Sequence, residues 1–262
     1  MALPMTNYHT HTPRCRHAFG TEREYVEAAI NNGFEILGFS DHMAWPVSGD
    51  SITRVRMRPD ELEDYCTTVQ QLRKEYAEKI HIYLGAECEY FPEKLPWLLE
   101  QKERFGMDYL ILGVHCPMEN GGRLQFENTT KPEEIERYTE LALAGMETGY
   151  FRYLCHPDLP LKSYPVFDRY ARTMSEEICR QAKKLDMPLE YNLHGYELHG
   201  NCDGMGYTSE EFWRVAAEFG CRAIVGIDAH LVSAINKDDV QAAQQRLQNW
   251  GLSVFSVLPD LT

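Results

Sequence analysis

Nine residues of this chain could do chemistry together: His9, His11, His17, His42, Glu87, His115, His156, Asp228 and His230. Imidazole nitrogen and carboxylate oxygen are the donor types that hold Zn, Mn or Fe. His9 and His11 are two apart, so on a strand both side chains point to one side and can grip the same ion. His17 follows a turn containing Pro13 and can fold back over the same mouth. Taken alone, the stretch Tyr8–His17 reads equally well as a solvated His-rich loop. The other members decide, because they share a position rule. Each stands at the carboxyl end of a short apolar run, and seven of the chain's ten histidines belong to the set. Nine donors are too many for one ion and suit two or three, with a carboxylate bridging a pair. Three divalent ions and two carboxylates leave about +4 in the site, a trap for an anion such as phosphate. Such a centre also lowers the pKa of a bridging water towards neutrality.

The elements that must position these residues alternate regularly. Apolar runs at about Met5–His9, Ile36–Ser40, Ile80–Glu89, Tyr109–Val114, Arg152–Cys155, Pro188–Tyr191 and Arg222–Ile227 read as strands. Helical patterns follow them: one capped by Thr21 with Glu24 three residues on, then about Pro59–Glu78, Glu93–Phe105, Pro132–Thr148, Phe167–Leu185, Ser209–Phe219 and Asp238–Trp250. Strand and helix alternate about seven times, which implies a parallel sheet; a distorted, TIM-like (β/α)7 barrel is the expected closure, and a doubly wound open sheet is the competitor. In a barrel the carboxyl ends of the strands gather around one mouth, which brings the nine donors together. Six of the seven strands contribute, and Asn192 ends the remaining one. The stretch 43–58 is long for a barrel connection and is a candidate lid, while His194–Tyr207, with four glycines, reads as a loop. His81 opens a strand at the far end from the mouth, and His199 falls in the glycine-rich loop.

Bulk properties narrow the class. A chain of 262 residues fits one barrel spanning 1–262. It has no apolar stretch long enough to span a bilayer and no basic-then-apolar leader, so a cytoplasmic protein without a membrane partner is expected. Its formal net charge of -14 argues against an extended nucleic-acid surface but not against a small anionic substrate held by a local cation cluster. The eight cysteines include no C-x-x-C pair and are expected as thiols. Cys88, Cys116 and Cys155 adjoin candidate ligands; by strand alternation they should face outward and pack.

His9-Thr10-His11, His17, Ser40-Asp41-His42, Gly85-Ala86-Glu87, Gly113-Val114-His115, His156-Pro157-Asp158 and Asp228-Ala229-His230 resemble, in order and over the whole chain, the successive motifs of the PHP superfamily. The closest likeness is to its monofunctional histidinol-phosphate phosphatases. The resemblance implies a distorted seven-unit barrel with a trinuclear centre. In it His9, His11, Glu87 and Asp228 hold one ion, Glu87, His115 and His156 a second, and His17, His42 and His230 a third. Asp41 and Asp158, beside ligands, are expected to orient imidazoles rather than to bind metal. The family pattern also implies a basic phosphate anchor shortly after Asn192, and here the chain departs from it, running Leu193-His194-Gly195-Tyr196. Asn192 and His194 are the candidate substrate contacts there, with Arg16 and Arg123 as candidates from loops. Arg14, Arg54, Arg56 and Arg58 are further basic residues in reach of the mouth, each read first as a solvated surface arginine.

The activity implied is hydrolysis of a phosphomonoester, L-histidinol phosphate in the closest likeness, by a metal-bridging hydroxide attacking phosphorus in line with the leaving alkoxide. Histidine biosynthesis is the setting that likeness implies. Two alternatives stand beside it: a PHP phosphoesterase for a nucleotide or an oligonucleotide end, and a metal-binding module without catalysis.

Overall fold

A computed structural model of the chain describes residues 3–47, 54–118, 124–198, 205–259 and 261. The apolar runs become parallel strands: β1 (Thr6–Asn7), β2 (Ile36–Phe39), β3 (His81–Cys88), β4 (Tyr109–Leu112), β5 (Leu189–Asn192), β6 (Arg222–Gly226) and β7 (Ser253–Val254). They pair in the orders β1-β2-β3-β4 and β5-β6-β7. Leu154 joins the two groups through parallel bridges to Leu112 and Leu189. On the other side Thr10 bridges Ala229; His11 N donates to Ala229 O at 3.0 Å and Ala229 N to His9 O at 3.1 Å. Backbone pairing therefore runs around a curled, TIM-like parallel barrel.

Two features of the sheet differ from expectation. The run 152–155 supplies only the bridging residue Leu154, not a regular strand. The tail after Trp250 instead forms β7 beside β6, and Thr6 Oγ1 donates to Ser256 O, so the chain's end fills the gap next to β1.

The described α-helices are α1 (Glu22–Asn31), α2 (Leu62–Glu75), α3 (Leu95–Phe105), α4 (Pro132–Glu147), α5 (Arg169–Leu185), α6 (Leu193–Leu198), α7 (Glu210–Glu218) and α8 (Lys237–Asn249). Thr21 and Glu24 form the expected capping box at α1. The expected loop from His194 begins instead as α6. Asn192 Oδ1 accepts from Gly195 N at 3.0 Å, which starts a helical turn that composition alone hides. No described helix is long and apolar enough to cross a membrane.

Strand parity places the chemistry. Tyr8, Ile36, Tyr109, Ile111, Tyr153, Ile224 and Leu258 fill the barrel interior, with Tyr83 packed against them. Leu37, Phe39, Leu84, Ala86, Leu110, Leu112, Leu189 and Tyr191 face the layer under the helices. With Leu84 and Ala86 outward, Glu87 must face inward. Cys88 and Cys116 pack in the outer layer as expected. Cys155 does not: it lies inside, grouped with His9 and Glu190. The alternation argument fails there because 152–155 is not a regular strand and His156 turns the chain with φ 28°.

Candidate metal centre

All nine donors reach one end of the barrel. His9 and His11 follow β1, His42 follows β2, Glu87 ends β3, His115 follows β4, His156 follows the Leu154 bridge, and Asp228 and His230 follow β6. His17 arrives after a short 3-10 turn, Pro13–Cys15, reversed at Arg16 with φ 74°. Two of the donors hold strained backbone: His156 at φ 28° and Asp228 at φ 54°. Non-glycine residues pay roughly 1–3 kcal/mol there, and such strain gathers where a side chain must be aimed.

Glu87 is the hub. Its Oε2 lies 2.9 Å from His42 Nδ1, 3.5 Å from His9 Nε2 and 3.7 Å from His11 Nε2. Its Oε1 lies 2.8 Å from His156 Nε2 and 3.2 Å from His115 Nε2. Asp228 Oδ1 is 2.9 Å from His11 Nε2 and 3.4 Å from His9 Nε2. His17 Nε2 and His230 Nε2 are 2.9 Å apart. Donor atoms of His9, His11 and Asp228, and likewise of His17, His42 and His230, lie within 4.8 Å of one another.

Hydrogen bonding leaves this cluster incomplete in an informative way. His9 Nε2, His11 Nε2, His42 Nδ1, Glu87 Oε2 and Asp228 Oδ1 are buried and make no properly aligned hydrogen bond. Buried polar atoms normally find partners, because an unpaired one costs about 1–3 kcal/mol. Five of them facing each other fit a set of lone pairs arranged for cations.

Other side chains fix which nitrogen faces the cluster. His9 Nδ1 bonds Glu190 Oε1 at 2.8 Å, His11 Nδ1 is 3.3 Å from Asp41 Oδ1, and His115 Nδ1 bonds Glu89 Oε1 at 2.9 Å. His17 and His230 use the Cys15 and Asp228 carbonyls in the same way, at 2.8 and 3.0 Å. Asp41 also accepts from the Thr12 hydroxyl and backbone, so it orients as expected. Glu89 is held by Arg56 at 2.8 and 2.9 Å and by Trp45 Nε1 at 2.7 Å.

Sequence reasoning missed Glu190 and Glu89. The available signal was a carboxylate inside an apolar parallel strand, between Leu189 and Tyr191, which demands a buried partner. Glycines make room for these groups: a Cβ at Gly113 would strike the Glu87 carboxylate, and one at Gly226 the Glu190 carboxylate. Glu190→Gln removes the anionic partner of His9 and is expected to weaken metal affinity about 10- to 100-fold, read by competition with a chromophoric chelator; unchanged affinity would deny Glu190 this role.

Electrostatics divide the imidazoles. Burial opposes charge on His9, but Glu190, Asp228 and Glu87 outweigh it and hold its pKa above the usual range. His11 is raised the same way, against burial, by Asp228 and Asp41. His115, also buried, is raised to about 10 by Glu87 and Glu89. His230 is pushed down to about 2 by burial and then by cationic His11. Burial would raise Glu87, yet His115, His42 and His9 keep it well below the carboxylate range. Without metal, protons on some imidazoles balance the carboxylates; an arriving cation must displace them.

The profile of the PHP domain matches residues 7–194. The chain belongs to the PHP domain family. A probable histidinol-phosphatase of Deinococcus radiodurans is 30% identical over 237 residues, covering 85% of each chain. The histidinol-phosphatase of Bacillus subtilis is 34% identical over 113 residues, 41% of this chain and 42% of that one. Among solved structures, the histidinol phosphate phosphatase of Lactococcus lactis, complexed with zinc, L-histidinol and phosphate, shares the fold with a TM-score of 0.77. It does so at 19% identity, covering 100% of this chain and 99% of that one.

A cavity of about 330 Å³ opens over the PHP centre, lined by His17, His42, Glu87, His115, His156, Asp228 and His230 and by Val55, Arg56, Gln125, Glu127, Leu159, Lys162, His194 and Tyr207. Of the candidate substrate contacts, His194 is on its wall, its ring centroid 5.1 Å from that of His230. Asn192 lies beneath the cavity, donating to Glu190 Oε2 at 2.9 Å and Asp228 Oδ2 at 3.1 Å. Arg16 pairs with Glu61 and lines a separate cleft with Arg54 and Arg58. Arg123 and His199 lie outside the described residues. Arg14 is engaged by Glu22 and Asp64. Arg56 is no surface arginine: it is buried on Glu89, and with Val55 it brings the described end of the 43–58 stretch to the cavity wall.

Asp158 touches none of the nine donors through its described hydrogen bonds. Its Oδ2 accepts from Ser209 N at 2.6 Å, tying the turn after His156 to the start of α7. Burial, only partly offset by backbone donors, lifts its pKa to about 7. The carboxyl is therefore protonated in the folded state at pH values where the unfolded chain has already released its proton. Its contribution to stability is full below about pH 4 and is lost as pH rises to about 7. Asp158→Asn is expected to flatten this slope, gaining at pH 8 relative to pH 4 by roughly 4 kcal/mol at most. Urea titrations of both proteins at the two pH values check this, and parallel pH profiles would refute it.

Proposed function

We propose that this chain is a metal-dependent phosphomonoesterase whose substrate is L-histidinol phosphate. The observation that carries the reading is the convergence of buried, unpaired donor atoms of His9, His11, His42, Glu87 and Asp228, the last three of which line an open cavity. His9, His11, Glu87 and Asp228 would hold one divalent ion, Glu87, His115 and His156 a second, and His17, His42 and His230 a third. When bound, such ions supply positive charge for phosphoryl oxygens and acidify water near neutral pH. Zn, Mn and Fe all suit the donors.

The chain's own residues do the rest. Glu190, Asp41 and Glu89 keep the imidazoles in one tautomer and one orientation. The rigid, strained strand ends fix the donors before substrate arrives. The cavity admits a small ester, and the chain's net charge of -14 disfavours long nucleic acid. The histidinol-phosphatase names of relatives covering most or part of the chain support the substrate.

Phosphate release from L-histidinol phosphate, nucleoside monophosphates and short oligonucleotides, on one batch with metal content measured, tests the reading. Histidinol phosphate should win by a wide margin in kcat/KM. Preference for a nucleotide or an oligonucleotide end would replace the substrate assignment. A fully metal-loaded protein that cleaves none of them would leave a binding module.

A further inference from the structure

Part of the cavity wall is built from two short turns that hang directly from candidate ligands. In the first, Phe126–Asn128, Phe126 N donates to His115 O at 2.8 Å. In the second, Leu159–Lys162, Leu159 N donates to His156 O at 3.0 Å. Ser163 Oγ donates to Glu127 O at 2.7 Å, and Lys162 Nζ pairs with Glu127 Oε2, so each turn braces the other. Phe126 is fully buried, edge-on to Tyr138 at 5.4 Å between centroids, and anchors the first turn.

Among the described residues lining the cavity, three are carboxylates: Glu87, Asp228 and Glu127. Glu87 and Asp228 are committed to the imidazoles. Glu127 is not; its side chain is 44% exposed and stands on the cavity wall, in the turn anchored to the His115 carbonyl. We propose that Glu127 recognises a positively charged group on the substrate, so that the site selects phosphate monoesters carrying an ammonium near the ester bond.

This rests on the phosphomonoesterase reading and deepens it. With the phosphoryl group drawn to the cations, the other end of a small ester reaches the wall. Lys162 occupies one oxygen of the carboxylate, and the second oxygen remains the natural acceptor for an ammonium. A pair as solvent-exposed as Glu127–Lys162 contributes little by itself, so sharing or exchanging it for substrate costs little.

The test is a cycle of substrate and side chain. kcat/KM is measured for L-histidinol phosphate and for the same ester lacking the amine, with metal-loaded wild type, E127Q and E127K. The wild type should prefer the amine-bearing ester. In E127Q that preference ratio should collapse about 10- to 100-fold, the range of a charge-assisted hydrogen bond, and in E127K it should fall below the E127Q value. A ratio divides out any loss of folded or metallated enzyme, so a merely structural role leaves it unchanged. Release from both esters with the wild-type ratio retained in E127Q overturns the assignment of Glu127 alone. No release from any ester by metal-loaded wild type overturns the hydrolase reading and this inference with it.

Discussion

Glu87→Ala is expected to lower kcat/KM with p-nitrophenyl phosphate on the order of 10³-fold or more, because it removes the carboxylate that would hold the cations neutralising the developing transition-state charge. Five imidazoles approach this carboxylate, at 2.8 to 3.7 Å. Both of its oxygens serve different neighbours, so its loss should depopulate two ion positions and not one. Metal content measured on the variant should fall with activity. Glu87→Gln keeps the shape, and it should fall nearly as far, which separates lost charge from lost packing. Full residual turnover in either variant would refute the assignment of Glu87.

Stripping the metal is expected to lower the unfolding temperature by about 10 °C or more. Ions present at a thousandfold excess over their dissociation constants add about 4 kcal/mol, and a chain of this size shifts by about 2–4 °C for each. The physical source is visible in the buried atoms that face one another without hydrogen bonds. Chelation followed by back-titration with Zn or Mn, monitored by thermal unfolding, measures the effect. Reloading in weak buffer should also release protons, because His9, His11 and His115 are held above their usual pKa until a cation arrives. Identical unfolding curves with and without metal would remove the basis for this expectation.

The sequence makes the gathering of donors readable because strand-end position and two-residue alternation are local properties. His9 and His11, Glu87 on β3, and Asp228 with His230 all follow from them. What hides Glu190 and Glu89 is that the histidines they orient stand in other barrel units: Glu190 meets His9 across 181 positions. Cys155 was read from an alternation that the irregular run around Leu154 does not possess. The burial of Arg56 is equally non-local, since its partner Glu89 belongs to the next barrel unit. Helix α6 stayed hidden because Gly195 signals a break by composition, while Asn192 supplies the cap that starts the turn.

Closure through Thr10 and Ala229 has a consequence for biogenesis. The earliest donors made by the ribosome, His9 and His11, wait for the latest, Asp228 and His230, before their pocket exists. An ion held by His9, His11 and Asp228 together could therefore not template the nascent chain before residue 228 is made. A product cut short before residue 228 retains most of the donors yet lacks the seam that brings His9 and His11 against Asp228 and His230.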